Sequence, residues 1–261
     1  MTNPLPPAYI DTHCHLDAAE FDADRDAVVA RAISSGVARI IVPAVTADNF
    51  AAVQAICERY ALCRPALGLH PIYAMQHQPD DLARLRAAVQ ETHPLAIGEI
   101  GLDLFVDDVD IARQTYYFTE QLKIAHEFDL PVLLHTRRAN DEILRQLRRF
   151  DIRRGIAHAF SGSRQQADAF IKQGFKLGFG GAFTYTRATN LRRLAAALPL
   201  ESIVLETDAP DMAPSWAWRQ RNSPEYLAQI AGELAALRGV DPATIAKVTG
   251  ENARAILGQD I

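Results

Sequence analysis

Residues 9–17, YIDTHCHLD, open as a three-residue strand-like run and break at once into Asp11, His13 and His15. A strand that ends on an acid and two histidines, not on turn residues, reads as a buried strand delivering chemistry to its C-terminal end. Apolar runs of the same kind recur at residues 39–44, 65–70, 95–99, 132–135, 155–158, 175–179 and 202–206. Longer amphipathic stretches alternate with them, at 24–35, 80–92, 110–128, 139–150, 164–173 and 191–198, and two more follow at 224–237 and 242–257. Short buried strands alternating with helices, eight times over, predict an α/β fold of the (β/α)8 TIM-barrel class. No GxGxxG or Walker-type loop supports an open doubly wound sheet, and no linker, low-complexity tract or fixed-period repeat divides the chain. The expectation is a single domain spanning residues 1–261.

Composition narrows the function classes. The chain has 261 residues, 27 Lys+Arg against 32 Asp+Glu, a net charge of −5, and 49% hydrophobic residues. That is enough apolar material for a sizeable core, and too much for a disordered or collagen-like chain. With a pI near 5.9 the whole-molecule field does not attract nucleic acid, so any phosphate must be held by a local basic site. Cys14, Cys57 and Cys63 form no CxxC pair and leave one over, which suits a reducing compartment. Residues 1–17 carry no basic n-region or leader-like apolar stretch, and no run approaches the roughly 18 apolar residues of a membrane span. The expected location is the cytoplasm, with no membrane and no obligate protein partner.

In a barrel, chemistry collects where strands pass into βα loops. The polar residues there are Asp11, His13, His15, His70, Glu99, Asp103, His135, His158 and Asp208. Singly, each has a bland explanation. An HxH can lie on a surface strand, Glu99 can pair with an arginine, and His135 or His158 can be a hydrogen-bonded core histidine. Together, His13, His15, His135, His158, Glu99 and Asp208 come from five separate strands, and chance convergence on one barrel mouth is a poor account. Period-two geometry puts His13 and His15 on one face and Cys14 on the other, as a packing thiol. Six N and O donors exceed the three protein ligands of a mononuclear catalytic zinc site, so the set predicts two divalent ions.

These segments also carry a resemblance. YIDTHCHLD, GLHP, AIGEIGLD, LLHTRRA, HAFSGS, GFGGAFTY and LETDAPDM, in that order, resemble the TatD family of metal-dependent hydrolases, in its YjjV-like branch. The resemblance implies a barrel of the amidohydrolase kind and metal-dependent deoxyribonuclease activity. It further implies that His13, His15 and Asp208 hold one ion, that His135 and His158 hold the other, and that Glu99 bridges them. It puts His70 in the substrate pocket. Thr136 stands where relatives often have Ser or Cys, a departure in the pocket wall.

Asp208 is the expected catalytic base, orienting a metal-activated water and taking its proton. The metals expected are zinc, manganese, magnesium, cobalt or nickel, which N and O donors do not distinguish. The substrate expected is a DNA end or a small phosphodiester. The alternative is an ester or amide hydrolase, a deacylase on the same barrel, since carbonyls and phosphoryls need the same Lewis acids. For phosphate contacts the reading selects Arg137, in a βα loop, and Arg221, just before a helix start, over Arg138 and Arg187. Arg145, Arg148 and Arg149 share a helical face that points away from the mouth. Two alternatives stay open: Glu206 either holds a ligating histidine or pairs with an arginine, and Trp216 and Trp218 either stack on a base or pack a lid.

Overall fold

The computed structural model describes residues 8–105, 110–259 and 261. Residues 1–7 of the N-terminal stretch examined above for a leader lie outside the described residues. Eight strands, β1 (Tyr9–Asp11), β2 (Val37–Pro43), β3 (Cys63–Ala66), β4 (Ile97–Asp103), β5 (Val132–Arg137), β6 (Gly155–Ala157), β7 (Phe175–Phe179) and β8 (Ile203–Leu205), follow one another around a ring. Every hydrogen-bonded neighbour pair is parallel. Two regular ladders, β1 to β3 and β4 to β8, meet at two narrow seams. At one, Leu67 bridges to Ile97 and the Gly98 amide donates to Leu67 O at 2.8 Å; at the other, the Thr12 amide donates to Leu205 O at 3.0 Å. The ring is closed, and the fold is the expected (β/α)8 TIM barrel.

The helices wrapping it, among the described residues, are α1 (Arg25–Ser34), α2 (Phe50–Arg59), α3 (Asp81–Thr92), α4 (Ile111–Glu127), α5 (Asn140–Arg149), α6 (Arg164–Lys172), α7 (Thr189–Ala197), α8 (Leu227–Arg238) and α9 (Pro242–Leu257). The sequence reading has no helix at α2. Only its last two residues are charged, so its polar face is thin, while Phe50, Val53 and Ile56 are buried at helical spacing. The 3-10 turn that leads into it, Ala47–Asn49, starts from a capping box in which Asn49, not Glu or Gln, answers Thr46. No helix of the described residues is long and apolar enough to cross a membrane.

Side-chain alternation builds the barrel in layers. Ile10, Ile41, Ala66, Leu133, Ile156 and Val204 form an apolar layer early in the strands, and Ala253, Ile256 and Leu257 of α9 pack against it. Two residues further along the same inward face come His135, His158 and Glu206. The larger cluster, including Ile40, Val42, Leu134 and Leu177, faces outward into the helical shell. The apolar floor thus sets the level at which polar side chains enter the barrel.

Candidate active site

The first histidines are set by a brace between the first and last strands. Asp11 Oδ1 accepts from the amides of Thr207 (2.9 Å) and His13 (3.3 Å), and its Oδ2 accepts from Thr207 Oγ1 at 2.6 Å. The loop after β8 is laced to the HxH segment by Asp208 N to His13 O and His15 N to Ala209 O, both at 2.8 Å. Asp208 takes a left-handed backbone with φ 60°, an uncommon conformation for a residue with a side chain. Cys14 is fully buried, with its thiol toward Ala209 O.

Glu99 stands at the centre and divides its two oxygens. Oε2 lies 3.0 Å from His13 Nε2 and 3.6 Å from His15 Nε2; Oε1 lies 3.0 Å from His135 Nδ1, 3.3 Å from His70 Nε2 and 3.9 Å from His158 Nε2. Asp208 faces the same groups from the cavity side. Its Oδ1 is 3.7 Å from His15 and 3.9 Å from His13, and its Oδ2 is 3.6 Å from His158 Nε2. The His13 and His158 rings stack at 3.7 Å. All six sequence-derived metal candidates are therefore brought together.

The electrostatics follow from burial and crowding. Burial alone would raise the Glu99 carboxyl, but the facing imidazoles of His70 and His13 hold it well below the ordinary range. Burial and the neighbouring His158 lower His13 to about 3. Burial also opposes charge on His15 and His158, yet nearby carboxylates outweigh it and raise them to about 9 and about 10: Glu99 and Asp208 for the first, Glu206 and Asp208 for the second. Asp208 is pushed up by burial to about 6.

The residues fit divalent cations. His13 Nδ1 is buried without a partner, and Glu99 is met by imidazoles, with no guanidinium or ammonium among its ionic partners within the described residues. His13, His15 and Asp208 present donor atoms close enough together for one ion; His13, Glu99 and His158 form a second such group, and His70, Glu99 and His135 a third.

A family model described as TatD related DNase matches residues 10–258. The chain belongs to this family. It is 47% identical over 233 residues to the metal-dependent hydrolase YjjV of Escherichia coli K12, covering 88% of this chain and 90% of that one. The crystal structure of that E. coli protein superposes with a TM-score of 0.92, covering 95% of this chain and 97% of the other. A 3′-5′ ssDNA/RNA exonuclease TatD of Cronobacter sakazakii is 35% identical, covering 93% of this chain and 95% of its own. The protein is a metal-dependent hydrolase of the TatD family.

Around the TatD centre, two carboxylates orient histidines from behind. Asp103 Oδ2 lies 2.9 Å from His135 Nε2, and Glu206 Oε1 lies 3.2 Å from His158 Nδ1. Glu206 thus lies against a histidine and not an arginine, and its Oε1 accepts from the Ala159 amide at 2.6 Å. Gly178 makes room for it, since a Cβ there would come within 2.1 Å of Glu206 Oε2. Gly101, with φ 148°, similarly lets β4 approach β5, where a Cβ would meet His135 O at 2.0 Å. Asp103 stood among the strand-end acids without an assigned role; its place four residues beyond Glu99 on one strand was the available signal.

The centre opens into a cavity of about 1410 Å³ whose wall includes His70, Phe105, Arg137, Arg138 and Met212. Arg137 reaches it half-exposed, its guanidinium 3.9 Å from the centre of the Phe105 ring. Thr136 is buried. Arg221 is a correction: it is not part of this wall. Its guanidinium grips Asp24 through both oxygens at 2.7 and 2.8 Å, donates to Glu20 O at 2.6 Å and lies over Phe21. A carboxylate 197 positions away in sequence thus takes the arginine that the adjacent helix start made attractive for phosphate.

Proposed function

We propose that this TatD-family protein is a two-metal phosphodiesterase that removes nucleotides from the end of a single DNA strand. The observation that carries the proposal is the division of Glu99 between two histidine sets. In this reading His13, His15 and Asp208 would hold one ion, His135 and His158 the other, and Glu99 would serve both. Once bound, such ions lower the pKa of water towards about 7 and absorb charge on the attacked and departing oxygens.

The chain's own residues supply the rest. Asp208 turns one oxygen toward His13 and His15 and the other toward the cavity side of His158, so a single carboxylate can ligate and still accept the proton of an attacking water. His70 works as a donor. Its Nδ1 accepts from the Ile72 amide at 3.1 Å, which puts the ring hydrogen on Nε2 and removes the lone pair that a ligand needs. This supports a substrate-pocket role for His70, hydrogen-bonding a phosphate oxygen. Arg137, on the wall and partly screened by Asp103 at 4.0 Å, is the cation for the phosphate. The Cronobacter relative's name, a single-strand exonuclease, supports the choice of an unpaired strand.

The test is turnover of metal-reconstituted protein on single-stranded DNA, a small phosphodiester, carboxyl esters and amides. Mononucleotide release from the single strand is expected, and Asp208→Asn should lower kcat by about a hundredfold or more. Turnover of esters or amides alone would assign the chain to deacylation instead.

A further inference from the structure

The two loop tryptophans part company in the structure. Trp216 packs half-buried against the core with its ring edge-on to Tyr226 at 6.3 Å. Trp218, two residues on, is 55% exposed. A ring of that size left in water contributes little to folding, and packing does not explain its place.

What surrounds Trp218 is aromatic and cationic. Tyr185, from the loop after β7, meets it edge-to-face at 5.9 Å, and the Arg187 guanidinium lies 5.3 Å from the Tyr185 ring centre and 5.4 Å from that of Trp218. Arg219 adds a second guanidinium at 5.7 Å. Among the described residues neither arginine is in an ion pair with a carboxylate, unlike Arg164 or Arg221. An open groove of about 260 Å³ runs between Tyr185, Arg187, Ser215 and Trp218.

The groove is fixed to the catalytic rim. Tyr185 Oη donates to Ala213 O at 2.9 Å, and the Ser215 amide donates to Thr184 Oγ1 at 2.8 Å. These bonds lock the loop after β7 to the loop after β8, whose Met212 lines the Glu99 cavity and whose first residues include Asp208. Groove and cavity thus lie on loops that are hydrogen-bonded to one another at the same end of the barrel.

We propose that Trp218, with Tyr185 and Arg187, is a stacking site for an unpaired base of the same strand whose end is cut in the Glu99 cavity. This rests on the phosphodiesterase reading above. An exposed Trp218 ring, backed by the part-buried Tyr185 and beside guanidiniums that form no ion pair among the described residues, matches a single strand: the ring takes a base face, which every nucleotide offers, and the arginines take the flanking phosphates. In a molecule of net charge −5, two such cations on one rim favour a local polyanion contact over general attraction. A duplex keeps its bases stacked on one another and offers no face to the ring.

The test uses the full, metal-loaded protein and a ten-nucleotide single strand whose terminal linkages resist hydrolysis. Trp218→Ala is expected to weaken binding of this strand roughly tenfold or more, the loss that follows removal of one base stack. Trp218→Phe, which keeps a ring, should restore most of it, and Arg187→Ala should weaken binding and flatten its salt dependence. On the cleavable strand the Trp218→Ala effect should appear in KM and not in kcat. If the wild type binds and cuts the strand and Trp218→Ala binds equally well, the stacking site is wrong while the phosphodiesterase reading stands. If the metal-loaded wild type neither binds nor cuts any strand, that reading falls and takes the stacking site with it.

Discussion

Glu206 sits 3.2 Å behind His158, in space that exists only because residue 178 is glycine. A buried carboxylate placed against the far nitrogen of a ligating imidazole fixes the ring's tautomer and raises its basicity. The arrangement extends the candidate centre past the donor residues, to Glu206 just after β8 and to the β7 glycine that makes room for it.

That layer is testable without touching a proposed ligand. Glu206→Gln should reduce metal affinity about 10- to 100-fold, the usual cost of losing such a partner. Gly178→Ala should do the same by pushing the carboxylate away. Titration of metal-free protein with zinc or manganese checks both, and unchanged affinity in both variants would reduce Glu206 to a structural role.

Glu99→Gln should lower occupancy at both proposed ions together. The amide loses the negative charge and one of the two anionic oxygens that face the two histidine sets. Metal analysis of the variant after dialysis against limiting metal decides it: two full equivalents retained at wild-type affinity would mean that Glu99 does not bridge.

Much of this was legible in the sequence because a period of two carries an apolar floor residue directly to a functional one, as from Leu133 to His135, from Ile156 to His158 and from Val204 to Glu206. Glu99 does not obey that alternation, since the β4–β5 register shifts between Ile97 and Ile100; its signal in the sequence is an acid at the end of a buried strand. Contacts between distant parts of the chain leave no such signal. Arg221 was judged by its neighbours in sequence, and its partner Asp24 comes from the far end of the chain. The difference between Trp216 and Trp218 depends on which of two loop side chains, with one residue between them, turns inward, which no local pattern encodes.

Metal binding should release protons. His15 and His158, raised to about 9 and about 10, are both protonated at pH 7.5 in the metal-free protein and must lose those protons to ligate, so about two protons should leave on loading. Calorimetric titration in buffers of different ionisation enthalpy counts them. The same shifts fix a sign for stability. Both pKa values lie above the unfolded value of 6.5, so the stability they contribute is fully present below pH 6.5 and is lost as pH rises through 9 and 10. The metal-free protein should therefore show a lower Tm at pH 10 than at pH 6.5, and a metal-loaded sample should lose less over that interval, its histidines being neutral already.

The two arginines selected from sequence should separate in a salt series. Each phosphate neutralised on a single strand contributes a slope of about −0.7 in log K against log salt. Arg137, on the cavity wall beside Phe105, should account for one such contact, so Arg137→Ala should make the slope shallower by about 0.7. Arg221 already spends its charge on Asp24, 2.7 Å away, and should contribute none. Arg221→Ala should leave the slope as it is, and its effect should appear in thermal stability, because it ties the N-terminal end of α1 to the loop after β8. Binding of the hydrolysis-resistant strand across a salt series checks both variants. A shallower slope in Arg221→Ala with none in Arg137→Ala would reverse the assignment, and would require the Arg221–Asp24 pair to open when nucleic acid binds.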